Sequence, residues 1–245
     1  LLTSSLLHFI SNMKKVAILQ SNYIPWKGYF DIIASVDEFI IFDEMQFTKR
    51  DWRNRNLIKT PSGKQWLTVP VKTKDKFHQK ICETEIDGVD WKKKHLDTIK
   101  QNYSRANFFK EIYQLIEPIY CQTNHLLLSD LNLELIQSIC GYLKINTKIS
   151  SSSNFSLADK KTDRLVSLCK ASGANIYLSG PSALNYIEES KFTHANIELE
   201  WFDYSKYPSY PQLWGDFEHE VSILDLLFNC GESAVNFLKF CEKNL

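Results

Sequence analysis

The chain has 245 residues, of which 44% are hydrophobic and 24% are charged, as is typical of a soluble globular protein. Its 29 basic and 29 acidic residues give a formal net charge of zero at pH 7. This balance argues against a general binder of nucleic acids or membrane surfaces, although it is compatible with a local basic patch. We therefore expect no DNA partner. No apolar run approaches the length that spans a bilayer, and we expect a cytoplasmic protein.

The cysteines and histidines show no pattern that is typical of a metal site. The six cysteines form neither a CxxC pair nor a Cys/His cluster, and no two histidines stand as HxH or HxxxH. Cys140 and Cys169 lie in helical apolar patterns, which predicts buried thiols. These features favour a reduced cytosolic chain over a disulfide framework and predict no bound metal.

The first twelve residues, LLTSSLLHFISN, lack the basic region and the cleavage site of a signal peptide. Met13 and two lysines then lead directly into the first predicted strand. We interpret Met13 as the natural start and residues 1–12 as a non-native or disordered extension. Residues 13–245 are expected to form a single domain.

The hydrophobic pattern predicts an α/β protein. Residues 14–20 and 36–43 fit buried strands and residues 26–35 fit a helix, which together make a βαβ unit with parallel strands. Residues 64–71 fit a third strand. The other predicted helices are at 90–104, 106–118, 126–143 (capped by Asn124 or Ser129) and 159–171, with a short helix opened by residues 179–182 and two C-terminal helices. Residues 146–156 fit a strand followed by a polar loop, and residues 175–178 and 197–202 fit strands. We predict a parallel-sheet core with helices on both faces and a helical insertion at about 90–145.

Open α/β sheets bind ligands at the carboxyl ends of their strands, and three unusual segments here follow strands. The first is residues 20–29, where a helix N-terminus would offer N–H groups to an anion and Gly28 would allow close approach. The alternative is that Pro25 begins the helix, Trp26 and Tyr29 pack, and Gly28 relieves crowding.

The second segment is residues 42–56, FDEMQFTKRDWRNRN. In an extended conformation Arg53 and Arg55 would share one face, and paired arginines can bind phosphate or carboxylate in a forked geometry. Lys49 and Arg50 would add charge, and Trp52 offers a face for stacking. The alternative is a solvated hairpin whose cations pair with the neighbouring carboxylates.

The third segment is residues 177–182, YLSGPS. Its serine hydroxyls and free N–H groups suit a phosphate or carboxylate, but an N-cap followed by Pro at the first helical position explains it equally well. His219, at a predicted helix start between two glutamates, is a candidate proton carrier, with an ordinary surface position as the alternative.

Taken together, these segments resemble the WbqC-like protein family, which is associated with O-antigen and lipopolysaccharide gene clusters. The likeness runs from about Lys15 to Phe237. It is carried by QSNYIPWKGYF at 20–30, FDEMQF at 42–47, Lys49-Arg50, Trp52, RNRN at 53–56, WLTVPV at 66–71, YLSG at 177–180, YPQ at 210–212 and SILDLLFN at 222–229. One departure is Ser21-Asn22, where the family leads us to expect residues like Pro-Tyr.

The resemblance implies transfer of glycine or a similar acyl group onto an amino sugar, which would be nucleotide-linked. The acyl donor would be an adenylate, an acyl-CoA or an aminoacyl-tRNA, and no cofactor is required. Asp43 or Glu44 would act as base, and Asn54 or Ser179 would stabilise the oxyanion. The expected substrate-binding residues are Gln20, Asn22, Tyr23, Trp26, Gly28, Tyr29, Gln46, Lys49, Arg50, Arg53, Arg55, Asn56 and Gly180.

Two other functions stay open. The same residues would serve a non-catalytic protein that binds a nucleotide sugar or acts as a scaffold in a biosynthetic complex. The layout is also similar to HIGH-type nucleotidyltransferases, although Trp26 and Tyr29 occupy the two histidine places and remove the phosphate-stabilising imidazoles.

Overall fold

The computed structural model describes residues 13–122, 124–155 and 161–240. The predicted N-terminal extension lies outside these residues. Five strands form one parallel sheet in the order β5-β2-β1-β6-β7. They are β1 (Lys15–Leu19), β2 (Glu38–Ile41), β5 (Lys148–Ser151), β6 (Ile176–Ser179) and β7 (Glu198–Trp201). The predicted parallel pairing of the first two strands is therefore confirmed.

Three helices connect the strands of this sheet: α1 (Lys27–Ala34), α5 (Lys161–Ala171) and α6 (Glu189–His194). Because parallel crossovers are almost always right-handed, the strand order places α1 on one face of the sheet and α5 and α6 on the other. The predicted α/β fold class is confirmed. Helix α6 was not predicted.

The described chain divides into two compact units that alternate along the sequence. The first unit comprises the residues up to 19, 32–42 and 147–205, and the second comprises residues 20–31, 43–146 and those from 206 onward. Neither unit is a continuous segment, because the connection from β2 to β5 carries most of the second one.

The first unit has the sheet at its centre. Val16 and Ala17 of β1 and Phe39 and Ile40 of β2 have no exposed surface, as expected for a sheet covered on both faces. Glu38 is buried as well. Burial raises its pKa, but hydrogen bonds from Lys14, Ser150 and Lys148 outweigh this effect and lower the pKa to about 2.

The second unit contains an antiparallel hairpin of β3 (Arg55–Thr60) and β4 (Gly63–Thr68). Strand β4 confirms the prediction at residues 64–71, whereas β3 was not predicted. Helices α2 (Asp90–Tyr103), α3 (Phe109–Cys121) and α4 (Leu128–Tyr142) confirm the helical insertion.

Two predicted helix ends in this insertion are wrong. Helix α3 continues past Pro118, because the N–H of Gln122 donates to the Pro118 carbonyl at 2.8 Å and completes a last turn. Helix α4 has Leu127 at its N-cap, without a side-chain cap. The N–H of Leu128 instead donates to the carbonyl of Thr84 at 2.9 Å. A neighbouring loop thus satisfies one of the free N–H groups at the start of the helix.

The second unit ends with α7 (Ile223–Cys230), which Ser222 caps, and a 3₁₀ segment, Gly231–Phe237. The two predicted C-terminal helices are thus confirmed, and the second is 3₁₀ rather than α. None of the helices in the described part of the chain is both long enough and apolar enough to cross a membrane.

Candidate functional site

The segments that follow β1 and β2 are joined in the second unit by a buried carboxylate. Asp43 accepts two hydrogen bonds from Ser21, one from its N–H at 2.8 Å and one from its hydroxyl at 2.7 Å. The side-chain amide of Asn132, on α4, donates to the Ser21 hydroxyl at 3.1 Å and to the Arg53 carbonyl at 2.9 Å. Three distant parts of the sequence therefore meet at one serine.

Burial raises the pKa of Asp43, which is only 5% exposed. The hydrogen bonds from Ser21 and the positive charge of Arg53 act in the opposite direction but do not cancel the rise. Both carboxylate oxygens already accept hydrogen bonds from Ser21. Glu44, the next residue, is half-buried.

Arg53 is held by two amide oxygens from the segment after β1. One terminal nitrogen donates to Asn22 Oδ1 at 2.6 Å, and the other donates to Gln20 Oε1 at 2.9 Å. The nearest carboxylate oxygen of Asp51 lies 3.9 Å from Nη2, beyond hydrogen-bonding distance. The guanidinium is therefore oriented mainly by neutral groups, and its ion pair with Asp51 is a long one. We call Arg53, Gln20 and Asn22 the Arg53 site.

The other two asparagines of this region fix the backbone around the Arg53 site. Asn56 donates to the carbonyls of Tyr23 at 3.1 Å and Ile24 at 2.9 Å. Ile24 has a φ of 36°, which is strained for a β-branched residue. Asn54 donates to the Val69 carbonyl at 2.9 Å, and its buried Oδ1 has no hydrogen-bond partner among the described residues.

Tyr23 is completely buried and its hydroxyl belongs to an internal polar cluster. The hydroxyl contacts His95 Nδ1 at 2.8 Å and makes a short hydrogen bond with the hydroxyl of Tyr120. His95 Nε2 lies 3.1 Å from the Thr68 carbonyl, so this nitrogen carries the proton and Nδ1 accepts from Tyr23. Burial lowers the pKa of His95 to about 4 and keeps the ring neutral.

In the PWKGY turn, Trp26 and Tyr29 pack against their neighbours, as the packing alternative predicted. A Cβ on Gly28 would lie 2.4 Å from Cζ2 of Trp26, so the indole occupies the space that a side chain would fill. Trp26 also makes an edge contact with Tyr207, at 5.7 Å between ring centroids. The Tyr29 hydroxyl donates to the Gln20 carbonyl at 3.0 Å and supports the segment that carries the Arg53 site.

Arg55 contacts other partners than Arg53 does, because Arg53 lies in a turn and β3 begins at Arg55. Its guanidinium lies 4.0 Å from the ring centroid of Trp66 and donates to the Arg50 carbonyl at 2.6 Å. Trp66 and Trp52 are in contact, with ring centroids 5.3 Å apart. We call Trp52, Trp66 and Arg55 the indole platform.

The side chains of the remaining predicted site residues lie outside these contacts. Lys49 and Arg50 are exposed, and Gln46 is exposed with its amide donating to the Phe77 carbonyl at 2.8 Å. Ser179 and Gly180 belong to the first unit, where Ser179 ends β6 and the sequence after it forms a 3₁₀ turn, Pro181–Asn185. His219 is exposed, and burial of its ring is the main cause that lowers its pKa, followed by the charge of Lys27.

Sequence analysis missed Ser21, Asn132 and Lys27. Asn132 was detectable as a polar residue on the apolar face of α4, between buried leucines. Lys27, in the first turn of α1, is 3% exposed, and its Nζ lies 4.7 Å from the Tyr207 ring centroid and 5.1 Å from that of Tyr210. Burial lowers the pKa of Lys27 to about 8. No pattern in the sequence distinguishes it from a surface lysine.

The described residues include no group of three or more His, Cys, Asp or Glu side chains placed to hold a metal ion. The five described cysteines are free, and Cys140 and Cys169 are buried as predicted.

The strand order and the polar cluster define a parallel α/β protein with a fixed arginine after its first two strands. The chain belongs to the WbqC-like protein family, whose model matches residues 20–237. It is 56% identical over 231 residues to "Uncharacterized protein Rv1507c" of Mycobacterium tuberculosis (strain ATCC 25618 / H37Rv), an alignment that covers 94% of this chain and all of the relative. No solved structure matches the chain.

Proposed function

We propose that this protein is a transferase that binds a nucleotide-linked amino sugar and acylates its amine. The observation that carries the proposal is the Arg53 site. Two neutral amides orient the guanidinium, and its ion pair with Asp51 is long, at 3.9 Å, so an external anion could share its positive charge. A diphosphate is the anion that a nucleotide-linked sugar presents.

The surrounding charge supports an anionic substrate. Residues 49–55 carry four cationic side chains and one acidic one, although the whole chain is neutral. No carboxylate oxygen of the described residues lies within 4 Å of a charged nitrogen of Lys49, Arg50 or Arg55. Such a local excess attracts an anion and raises its rate of encounter.

The chemical step is amide formation. The substrate amine attacks the carbonyl carbon of the activated acyl group, the new C–N bond forms, and the bond to phosphate, sulfur or ribose oxygen breaks. The amine must lose a proton to a base. Because Asp43 is 5% exposed and holds Ser21 through both oxygens, whereas Glu44 is half-buried, we assign the base to Glu44 and a positioning role to Asp43.

The test is an incubation of the protein with nucleotide-linked amino sugars and with acyl-CoA, acyl adenylate or aminoacyl-tRNA as donor. We expect mass spectrometry to show a product heavier by one acyl group with one of these donors. Arg53→Gln should abolish the product, and Arg105→Gln, an exposed arginine of the same unit, should not. Product formation that is equal in both variants would contradict the role of Arg53.

A second function, a non-catalytic nucleotide-sugar-binding protein, is favoured by one observation. Asp43 and the amide nitrogen of Asn54 are already engaged in internal hydrogen bonds. This alternative predicts binding of the nucleotide sugar without turnover for any of the three donors. Glu44→Gln separates the two functions, because in the transferase it should remove turnover and preserve binding.

A further inference from the structure

Two tryptophans of the second unit are exposed to solvent: Trp66 in β4 and Trp52 in the turn that precedes β3. Trp52 is 44% exposed and Trp66 is 40% exposed, whereas tryptophans in folded proteins are mostly well covered. Their rings contact each other at a tilt of 42°, so each indole uses one part of its surface for the other and leaves the rest open. Each ring therefore keeps a large surface that the other ring does not cover.

The arginine beside them adds a second planar group. The Arg55 guanidinium lies 4.0 Å from the Trp66 ring centroid and is held by the Arg50 carbonyl at 2.6 Å. Its Nε is buried and has no hydrogen-bond partner among the described residues. A fixed guanidinium next to indole rings is the combination on which nucleobases stack in proteins that bind single-stranded nucleic acids.

We propose that the indole platform is the subsite for the base of a nucleoside diphosphate whose phosphates are held by Arg53. The proposal rests on the proposed function, because Trp52 and Arg53 are consecutive and the platform extends the same segment. Charge complementarity selects this occupant: an uncharged sugar would gain nothing from Lys49, Arg50 and Arg53, whereas a diphosphate would. The local excess of positive charge spans only residues 49–55 of a chain with no net charge, which fits a mononucleotide rather than a long RNA.

The test compares three probes by isothermal titration calorimetry: UDP, ADP and inorganic pyrophosphate. Trp66→Ala and Trp52→Ala should each weaken UDP and ADP by about 5- to 150-fold, since a stacked base contributes that much affinity, and should leave pyrophosphate unchanged. Phe77→Ala is the matched control, because Phe77 is an aromatic residue of the same unit that is 76% exposed and lies outside the platform. It should bind all three probes like the unchanged protein.

The outcomes separate this inference from the proposed function. Pyrophosphate and nucleotides weakened equally by the tryptophan changes, or not weakened at all, would overturn the subsite while leaving the Arg53 site intact. Binding of none of the probes by the unchanged protein would overturn both. A short oligoribonucleotide that binds more tightly than UDP and ADP, and loses that affinity in Trp66→Ala, would overturn the mononucleotide as occupant.

Discussion

Asp43 and Ser21 are joined by two hydrogen bonds, because the Ser21 N–H and the Ser21 hydroxyl each donate to a different oxygen of the same carboxylate. Ser21 lies between the two residues that orient Arg53, Gln20 and Asn22. The carboxylate therefore holds the segment on which the Arg53 site depends, although the hydrogen bonds of the Arg53 guanidinium go to Asn22 and Gln20.

Replacing the Asp43 carboxylate should cost both stability and binding. In Asp43→Asn one of the two acceptors becomes a donor, and we expect a loss of about 1.5–3 kcal/mol in the free energy of unfolding, measured with urea. Affinity for a nucleotide diphosphate should fall because the segment carrying Gln20 and Asn22 loses its anchor. Asp97→Asn, at an exposed carboxylate of the same unit, should stay within about 0.5 kcal/mol. A variant with full stability and full binding but no turnover would identify Asp43 as the base instead.

The amide of Gln20 should act on binding alone. Gln20→Met keeps the size of the side chain but removes the acceptor at 2.9 Å from Arg53 Nη2. Because the guanidinium is then less well oriented, we expect a roughly 5- to 30-fold higher Kd for pyrophosphate, equivalent to about 1–2 kcal/mol, by calorimetry. Melting temperature should hardly change, since Gln20 is half-buried. Gln101→Met on the exposed face of α2 is the control, and an effect of the same size there would refute the orienting role.

Lys27 should make stability depend on pH in the alkaline range. The pKa of Lys27 is about 8 in the folded protein and 10.5 in a free side chain, so the unfolded chain binds more protons between these values. Stability should therefore rise as pH increases from about 8 to 10.5. Lys27→Met should be more stable than the unchanged protein by about 1–3 kcal/mol near pH 7, and this difference should shrink toward pH 10.5. A difference that stays constant with pH would contradict the depressed pKa.

The Tyr23 hydroxyl should matter for stability and not for ligand affinity. Tyr23→Phe leaves His95 Nδ1 and the Tyr120 hydroxyl without their shared partner inside the fold, which should cost about 1–3 kcal/mol in urea denaturation. Tyr186→Phe, at a tyrosine that is 60% exposed, should change stability by less than about 0.5 kcal/mol. A selective loss of nucleotide affinity in Tyr23→Phe, with stability preserved, would restore Tyr23 as a substrate-binding residue.

Much of the fold was predictable because its buried elements carry strong local patterns. The apolar runs of β1 and β2 and the helical periodicity of α2 and α4 identified these elements. Strand β3 was missed because four of its six residues, RNLIKT, are polar, and three of these are buried only through tertiary contacts. Lys59, for example, is 5% exposed and donates to Gln212 Oε1 at 2.8 Å, more than 150 residues away in the sequence. Helix α6 has only six residues, most of them polar, and is too short to show the hydrophobic periodicity of a helix.

The candidate site was predictable as a set of residue types but not as an arrangement. The density of Arg and Asn in residues 49–56 indicated an anion site, yet the sequence gives no reason to separate Arg53, which the segment after β1 orients, from Arg55, which stacks on Trp66. Asn132 joins the cluster from α4, 111 residues after Ser21. Such pairings depend on how the chain folds back, which no local pattern encodes.

The measurement that tests the central claim most directly is calorimetric titration of a nucleotide-linked amino sugar into the unchanged protein and into Arg53→Lys, Arg53→Gln and Arg105→Gln. We expect binding by the unchanged protein and by Arg105→Gln, and none by Arg53→Gln. Arg53→Lys should bind at least about tenfold more weakly, because it keeps the positive charge but loses the bidentate geometry of the guanidinium. Equal affinity in all four proteins would contradict the assignment of Arg53 as the anchor of the substrate.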